Sequence, residues 1–213
     1  MRLTISRRAV LLLLFGGFIP LLIFGDLAED VWKQGGFPFD VPLLLAIHST
    51  AQPKLDIFVS YLTKLGVFWG VFPAAAMISL LLVIRQRWRA IEFLLTASVG
   101  SIIINQTVKR LLHRARPHLW VTPAPEFDYG FPSGHAMASM TLVAVLIILS
   151  WKSRWRWFVV IIGTLFVLII GWTRLYLGVH YPSDVLAGWM VALGWTVGVS
   201  FLISSHPVRR RYQ

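Results

Sequence analysis

The sequence predicts an all-α membrane protein in which six helices cross the bilayer. Of its 213 residues, 57% are hydrophobic and only 14% are charged, whereas soluble domains average about 25% charged residues. Six apolar stretches approach or reach the length of about 17–25 residues that a spanning helix needs. They cover residues 9–25, 65–84, 91–108, 136–151, 157–172 and 185–203. Because neither internal repeats nor low-complexity tracts separate them, we expect a single domain over residues 1–213.

The chain has no cysteine and a formal net charge of +11. The lack of cysteine excludes disulfides, thiolate metal sites and cysteine nucleophiles. A large positive charge can indicate nucleic-acid binding, but the apolar stretches make a bilayer with anionic headgroups the better partner. We therefore expect contact with lipid and no nucleic-acid partner, and the sequence gives no evidence of an obligatory protein partner.

The placement of basic residues predicts the orientation in the membrane. The first apolar stretch follows Arg2, Arg7 and Arg8 like the core of a signal peptide, but no clear cleavage site comes after it, so we expect it to be retained. Further basic clusters lie at residues 85–89, 152–156 and 209–211. With six spans these clusters all fall on one side, which is the pattern of a cytoplasmic face. Both termini are therefore predicted to be cytoplasmic.

Three short segments on the opposite, outer side carry polar residues of another kind. In the first, Lys109 and Arg116 are seven residues apart, close to two helical turns, which predicts that they share a face where the third span leaves the bilayer. Pro117 disfavours helix at Arg116, so this side chain is expected at a frayed helix end. Basic residues beside a span also extend to lipid headgroups without further function.

The second segment is Pro132-Ser133-Gly134-His135, directly before the fourth span. Ser133 is a typical N-cap residue, and Gly134 allows the backbone to approach a ligand closely. The start of a helix attracts anions, and His135 can carry a proton there near neutral pH. The same residues could also form a capped helix start and nothing more.

The third segment contains Arg174, His180 and Asp184 and leads into the sixth span. Pro182 fits the first turn of a helix, so His180 is expected just before a second helix N-terminus. Asp184 can accept a hydrogen bond from one imidazole nitrogen of His180 and leave the other free as a nucleophile. An isolated histidine with a nearby aspartate is more often structural. Ionisable groups, however, are costly to keep at a membrane.

Together the three segments supply the parts that phosphoryl transfer requires. These are cations for the phosphate oxygens, a nucleophile and a proton donor for the leaving group. Glu126 and Asp128 are the only other acids nearby, which is too few for a magnesium site built from carboxylates. We therefore expect neither metal nor cofactor, and a covalent route through a histidine.

The three motifs resemble the signature of the type 2 phosphatidic acid phosphatase superfamily, KxxxxxxRP, PSGH and SRxxxxxHxxxD. Here they read Lys109 to Pro117, Pro132 to His135 and Thr173 to Asp184, in the same order. The resemblance covers the last four predicted spans. One departure is Thr173, which stands where the signature has serine and keeps the hydroxyl.

The resemblance implies a phosphohistidine mechanism. His180 would attack phosphorus, Asp184 would orient it, and His135 would protonate the leaving oxygen and later activate water. The phosphate oxygens would be held by Lys109, Arg116, Arg174, Ser133 and the Gly134 N–H. The superfamily also contains soluble vanadium haloperoxidases, and six spans argue against that activity here.

The expected function is hydrolysis of a lipid phosphomonoester or diphosphate at the outer face of a bacterial plasma membrane. Relatives in the superfamily act on undecaprenyl diphosphate, phosphatidylglycerophosphate, phosphatidate or lipid A phosphate, and the first is the favoured substrate. A lipid phosphotransferase using the same histidine and a non-catalytic lipid or anion transporter remain as alternatives. Arg110 and Arg114 could bind a second phosphate or lipid headgroups, and the sequence does not decide between these.

Overall fold

The computed structural model describes residues 7–205, and all regular elements in this part of the chain are helical. The all-α prediction is confirmed to that extent. Helix α1 runs without interruption through Arg7–Leu12, Leu13–Phe18 and Ile19–Gln34, of which the middle piece is π-helical. The others are α2 (Asp40–His48), α3 (Pro53–Leu62), α4 (Val71–Ile84), α5 (Trp88–Leu112), α6 (Gly134–Ser150), α7 (Arg156–Tyr176) and α8 (Pro182–Ser205). The basic residues Arg2 and Arg209 to Arg211 lie outside the described residues.

Within residues 7–205, five helical stretches are long and apolar enough to cross a membrane, and they correspond to five of the six predicted spans. They are Ala9–Gln34, Pro53–Ile84, Trp88–Leu112, Arg156–Tyr176 and Pro182–Ile203. The stretch at the remaining predicted span, Gly134–Ser150, is apolar but shorter. Its 17 residues extend for about 26 Å, somewhat less than the ~30 Å of a hydrocarbon core. The structure thus supports a multi-pass membrane protein.

Apolar side chains cover the outside of the helices as well as the core. Met77 and Leu80 on α4 and Ile103 on α5 are about 60% exposed. Such extensive apolar surface is unusual for a protein in water and suits contact with lipid chains. Inside, α6 packs against α5, α7 and α8, and its buried Val145 lies in one cluster with Leu94 of α5.

The second predicted span is not one straight helix. A 3₁₀ turn, Thr63–Gly66, follows α3, and α4 begins only at Val71. A Cβ atom on Gly66 would lie 3.0 Å from the His135 ring and 2.8 Å from Ile170. The glycine therefore lets this turn reach the start of α6. The break places Thr63 and Gly66 next to the predicted site.

The helix order brings the three polar motifs to one end of the bundle. Helices α5 and α7 end there, whereas α6 and α8 begin there. The connections with the basic clusters of residues 85–89 and 152–156 lie at the opposite end. Gly188 permits α8 to approach the start of α6, because a Cβ atom there would lie 2.9 Å from the Ser133 carbonyl oxygen.

Candidate active site

The first motif does not continue as a helix. Helix α5 ends at Leu112, and His113 adopts a left-handed conformation with φ of 48°. The prediction that Lys109 and Arg116 share a helical face is therefore wrong, because the helix stops four residues before Arg116. They meet instead at Asp128, whose carboxylate accepts from Lys109 Nζ and Arg116 Nη2.

Arg116 is buried and held on several sides, so the prediction of a frayed helix end is also wrong. Its Nε donates to the Asp128 carbonyl oxygen at 2.7 Å, and its Nη1 donates to the Val179 carbonyl oxygen at 2.6 Å. Burial raises the pKa of Asp128, but its bonds to Lys109 and Arg116 outweigh burial and hold the pKa below its usual range. The carboxylate that joins the two cations is therefore ionised at neutral pH.

The second motif forms a capped helix start, as predicted. Ser133 precedes α6, and its Oγ accepts from the Ala136 N–H at 3.5 Å. Its own N–H donates to the Asp184 carbonyl oxygen at 3.0 Å. This bond ties the start of α6 to the third motif. His135 follows in the first turn and packs against Gly66.

In the third motif, His180 is fully buried and lies two residues before Pro182, the first residue of α8. Its Nε2 is 3.0 Å from Arg116 Nη1. Arginine has no acceptor, so Nε2 accepts this bond and the proton of the neutral ring is on Nδ1. Burial lowers the pKa of His180 well below its usual range, and the charges of Arg116 and Arg174 lower it further. The ring is therefore neutral at physiological pH.

Asp184 faces the protonated nitrogen of His180. Its Oδ2 lies 3.5 Å from Nδ1, and within residues 7–205 Nδ1 has no hydrogen-bond partner. The same Oδ2 accepts from the Tyr181 N–H at 2.8 Å. This arrangement is one half of a capping box, in which the third residue of a helix bonds back to the residue before its start.

Glu126 occupies the point where the predicted groups converge. Its Oε1 accepts from Arg174 Nη2, and its Oε2 lies 2.7 Å from Arg116 Nη2. Nδ1 of His135 is 3.9 Å from Oε1, and Nε2 of His180 is 3.8 Å from Oε2. One anionic group therefore contacts two cations and lies within 4 Å of both histidines. The sequence predicted no role for Glu126 and showed only that it is one of the few acidic residues near the motifs.

Arg174 has a partner that the sequence did not reveal. Its Nη1 donates to Thr63 Oγ1 at 2.6 Å, and the side chain is almost completely buried. The Thr173 hydroxyl donates its one proton to the Ile170 carbonyl oxygen, at 2.6 Å, so at 3.1 Å from Thr63 Oγ1 it accepts the proton of that hydroxyl. The hydroxyl of Thr173, which stands where the signature has serine, is thus bonded to the same threonine that accepts from Arg174.

A cavity of about 470 Å³ extends from this cluster between α4, α5 and α6. Polar side chains line one part of it, including Lys109, Glu126, Asp128 and His135 together with Gly134. Apolar side chains line the rest, including Val67, Phe72, Ile102 and Leu142. It therefore joins the charged cluster around Glu126 to an apolar compartment.

Four other arginine and histidine side chains lie outside this cluster. Arg114 is buried and bonded to Asp40 and Asp184, whereas Arg110 is exposed on α5. His113 packs edge-on against Tyr129, and His48 stacks on Trp120. Among residues 7–205, no group of three His, Cys, Asp or Glu side chains is arranged to hold a metal ion.

Comparison with known proteins identifies the class. The sequence matches the PAP2 superfamily over residues 90–207, more than half of the chain. It is 30% identical to an undecaprenyl-diphosphatase of Sulfolobus acidocaldarius over 91% of this chain and 94% of that protein. It is 28% identical to phosphatidylglycerophosphatase B of Bacillus subtilis over 74% of this chain and 87% of that protein.

Solved structures show the same fold. A crystal structure of a transmembrane PAP2 type phosphatidylglycerolphosphate phosphatase from Bacillus subtilis superposes with a TM-score of 0.81 and 25% identity, covering 92% of this chain and all of that one. The fold and the site thus define a helical membrane phosphatase. The chain belongs to the PAP2 superfamily, as the three motifs predicted.

Proposed function

We propose that this protein hydrolyses a lipid phosphomonoester or diphosphate through a phosphohistidine intermediate on His180. The observation that carries the proposal is the position of the Glu126 carboxylate, which is bound by Arg116 and Arg174 and lies 3.8 Å from Nε2 of His180. A phosphate group in the same place would have its oxygens on the cations and its phosphorus near the free nitrogen. This is the arrangement that in-line attack requires.

The first chemical step would form the Nε2–phosphorus bond while the bond to the leaving oxygen breaks. Nε2 must exchange its bond to Arg116 for phosphorus, and Arg116 would then bind a phosphate oxygen. Positive charge develops on the ring during attack, and the Asp184 carboxylate beside Nδ1 would stabilise it. A protonated His135 would give its proton to the leaving oxygen.

The second step would regenerate the enzyme. His135, now neutral, would take a proton from a water molecule that attacks the phosphorus, and the Nε2–phosphorus electron pair would return to the ring. Lys109, Arg116 and Arg174 would stabilise the charge on the phosphate oxygens throughout, with Ser133 and the Gly134 N–H assisting. No step requires a metal ion or a cofactor.

The cavity supports a lipid as the substrate. A headgroup phosphate at the cations would place its chain toward Val67, Phe72 and Ile102, which line the apolar part. The chain would then leave the cavity between helices and continue into the bilayer. The relative from Sulfolobus acidocaldarius, which matches over nearly the whole chain, favours undecaprenyl diphosphate. Phosphatidylglycerophosphate and lipid A phosphate follow from other relatives.

We propose six membrane spans within a single domain, with the site at the outer face of a bacterial plasma membrane and both termini in the cytoplasm. The short α6 would span by including flanking residues or by local thinning of the bilayer. Single cysteines introduced at residues 87 and 154 test this topology in intact cells, because the natural chain has no cysteine. Labelling of either from outside by an impermeant reagent would refute it.

The test of function is release of orthophosphate by the purified protein from a panel of polyprenyl and glycerolipid phosphates. We expect release from at least one lipid, and none by the His180→Ala variant. Transfer of phosphate to an added lipid alcohol, without free phosphate, would favour the phosphotransferase alternative. No release from any lipid, together with a cellular function that the His180→Ala variant retains in full, would instead favour a transporter.

A further inference from the structure

Arg114 is buried in a network that adjoins the nucleophile without touching it. Its Nη1 donates to Asp184 Oδ1 and to Ser183 Oγ at 2.8 Å. Its Nη2 donates to Asp40 Oδ2 at 2.7 Å, and its Nε donates to the Gly35 carbonyl oxygen at 3.2 Å. Its guanidinium also lies over the Tyr181 ring, 4.4 Å from the centroid. All three nitrogens are thus occupied, so Arg114 is not available to a second phosphate or to a headgroup.

The network fixes both oxygens of Asp184 independently of His180. Oδ1 is bound by Arg114, and Oδ2 is bound by the Tyr181 N–H. Since Asp184 is completely buried, its position depends on these two donors. The Tyr181 bond belongs to the helix start, so Arg114 is the side chain that holds the carboxylate plane toward the imidazole.

Arg114 also affects the negative charge on Asp184, the carboxylate beside His180. One guanidinium is shared between two buried carboxylates, Asp40 and Asp184, so the three side chains together keep one negative charge. Without Arg114 the two carboxylates would lie close together in a buried place with no cation between them, which disfavours the ionised form of one of them. With Arg114 present, Asp184 can stay ionised. The positive charge of the guanidinium is then divided between the two carboxylates, so it only partly neutralises Asp184.

We propose that Arg114 is a positioning residue for the reaction, which acts on the nucleophile His180 only through Asp184. The proposal rests on the proposed phosphohistidine function, because it concerns the step in which His180 becomes positively charged. In the proposed mechanism substrate binding depends on Lys109, Arg116 and Arg174, and none of the Arg114 hydrogen bonds described above is to these residues. Loss of Arg114 is therefore expected to lower kcat and leave KM largely unchanged.

The test is a double-mutant cycle with Arg114→Gln, Asp184→Asn and the double variant. Orthophosphate release and rapid-quench phosphoenzyme formation are measured for each. We expect Arg114→Gln to lower kcat by about 100-fold, the scale of a misplaced reacting group, with a change in KM below about threefold. In the Asp184→Asn background the same substitution should cost no more than about twofold, because the route through Asp184 is already lost.

Arg85→Gln is the control, because Arg85 is exposed and lies at the opposite end of the bundle from the site. We expect it to keep the wild-type kcat. Arg114→Lys keeps the charge but cannot donate to both carboxylates in the same geometry, and its kcat should lie between those of the wild type and Arg114→Gln. If Arg114→Gln does not fold, Arg114→Lys replaces it in the cycle.

The proposal is overturned if the two substitutions are additive, if Arg114→Gln raises KM without changing kcat, or if its kcat equals that of the wild type. These outcomes differ from a failure of the proposed function. In that case the wild-type protein would release no phosphate or would release it without His180, and the cycle would have no activity to compare.

Discussion

The Glu126 carboxylate and Nε2 of His180 lie 3.8 Å apart, and Arg116 contacts both. The nitrogen proposed to attack phosphorus thus faces an anion that belongs to the protein itself. The Glu126 side chain is 26% exposed, in contrast to 1% for His180 and Arg174. It comes from the irregular connection between α5 and α6, so it can leave the cluster without moving a helix.

Replacing Glu126 by glutamine should strengthen the binding of phosphate anions. A phosphate must displace the carboxylate from Arg116 and Arg174, and the uncharged amide competes far less. If the Glu126 carboxylate is bound to the two arginines about nine-tenths of the time, the inhibition constants of orthophosphate and vanadate should be about tenfold lower in Glu126→Gln. Steady-state inhibition measures this, with the exposed Glu92→Gln on α5 as the control. Unchanged constants in Glu126→Gln would show that the carboxylate does not compete.

Substitution of the two histidines should have different consequences. His180→Ala should abolish turnover and phosphoenzyme together, because it removes the attacking nitrogen. His135→Ala should still form phosphoenzyme from substrates with good leaving groups, which need less protonation, and should hydrolyse it slowly. Asp184→Asn should cost less than either, since both imidazole nitrogens remain. Rapid-quench trapping of labelled protein distinguishes these variants. Phosphoenzyme in His180→Ala would contradict the assignment.

The phosphoenzyme should still form at pH values that are too low for a nucleophilic histidine with an ordinary pKa. The pKa of His180 is lowered well below 6.5 by burial and neighbouring cations, so the neutral nucleophile remains at pH values where a free imidazole is protonated. The same shift costs stability in acid, because below pH 6.5 the unfolded chain binds a proton that the folded chain does not. Single-turnover rates from pH 5 to 8 measure the first effect. A fall in the single-turnover rate that is centred at pH 6.5 and caused by protonation of His180 would contradict this prediction.

Activity should not depend on a metal ion. In the proposed mechanism side-chain cations bind the phosphate oxygens in place of magnesium, so EDTA should leave the rate of phosphate release essentially unchanged. Vanadate should inhibit, because it can adopt the five-coordinate geometry of the phosphorus beside His180. Both are measured on protein freed of metals by chelator treatment. Activity that is lost in EDTA and restored by magnesium would show that the reaction requires a metal ion.

Thr63→Val should weaken substrate binding through Arg174. The substitution keeps the shape of the side chain and removes the hydroxyl that accepts from Arg174 Nη1, which leaves a buried charged donor unsatisfied. Loss of such a bond costs about 1–3 kcal/mol, so KM should rise and kcat should change less. The exposed Thr50→Val is a control outside the site. A wild-type KM in Thr63→Val would mean that Arg174 is positioned by other contacts.

The features that the sequence predicted are those that local pattern determines. Apolar length indicated the helices, and Ser133 and Pro182 marked two helix starts because capping chemistry is local. The ordered motifs indicated the superfamily. The seven-residue spacing of Lys109 and Arg116 predicted a shared helical face. That prediction is wrong, because His113 ends the helix in a left-handed conformation.

The contacts that the sequence did not reveal are those between distant segments. Glu126 follows Arg116 by ten residues in an irregular connection, where no periodicity predicts which side chains turn inward. Thr63 and Asp40 reach Arg174 and Arg114 across more than 70 residues. Neither stands in a pattern that distinguishes it from the other polar residues of the first half of the chain. Their positions follow from helix packing and from the break before α4.

The dependence of the site on the first half of the chain bears on how PAP2 proteins can be recombined. The superfamily match begins at residue 90, yet Asp40 and Thr63 contact its arginines from outside that segment. A chimera that joins residues 90–207 to the first helices of a relative must therefore keep Asp40 with Arg114 and Thr63 with Arg174. Without Asp40, Arg114 would keep its ion pair with Asp184, but its buried Nη2 would lose the acceptor at Asp40 Oδ2, at a cost of about 1–3 kcal/mol. Such chimeras should fail in expression and folding before any change in substrate preference can be observed.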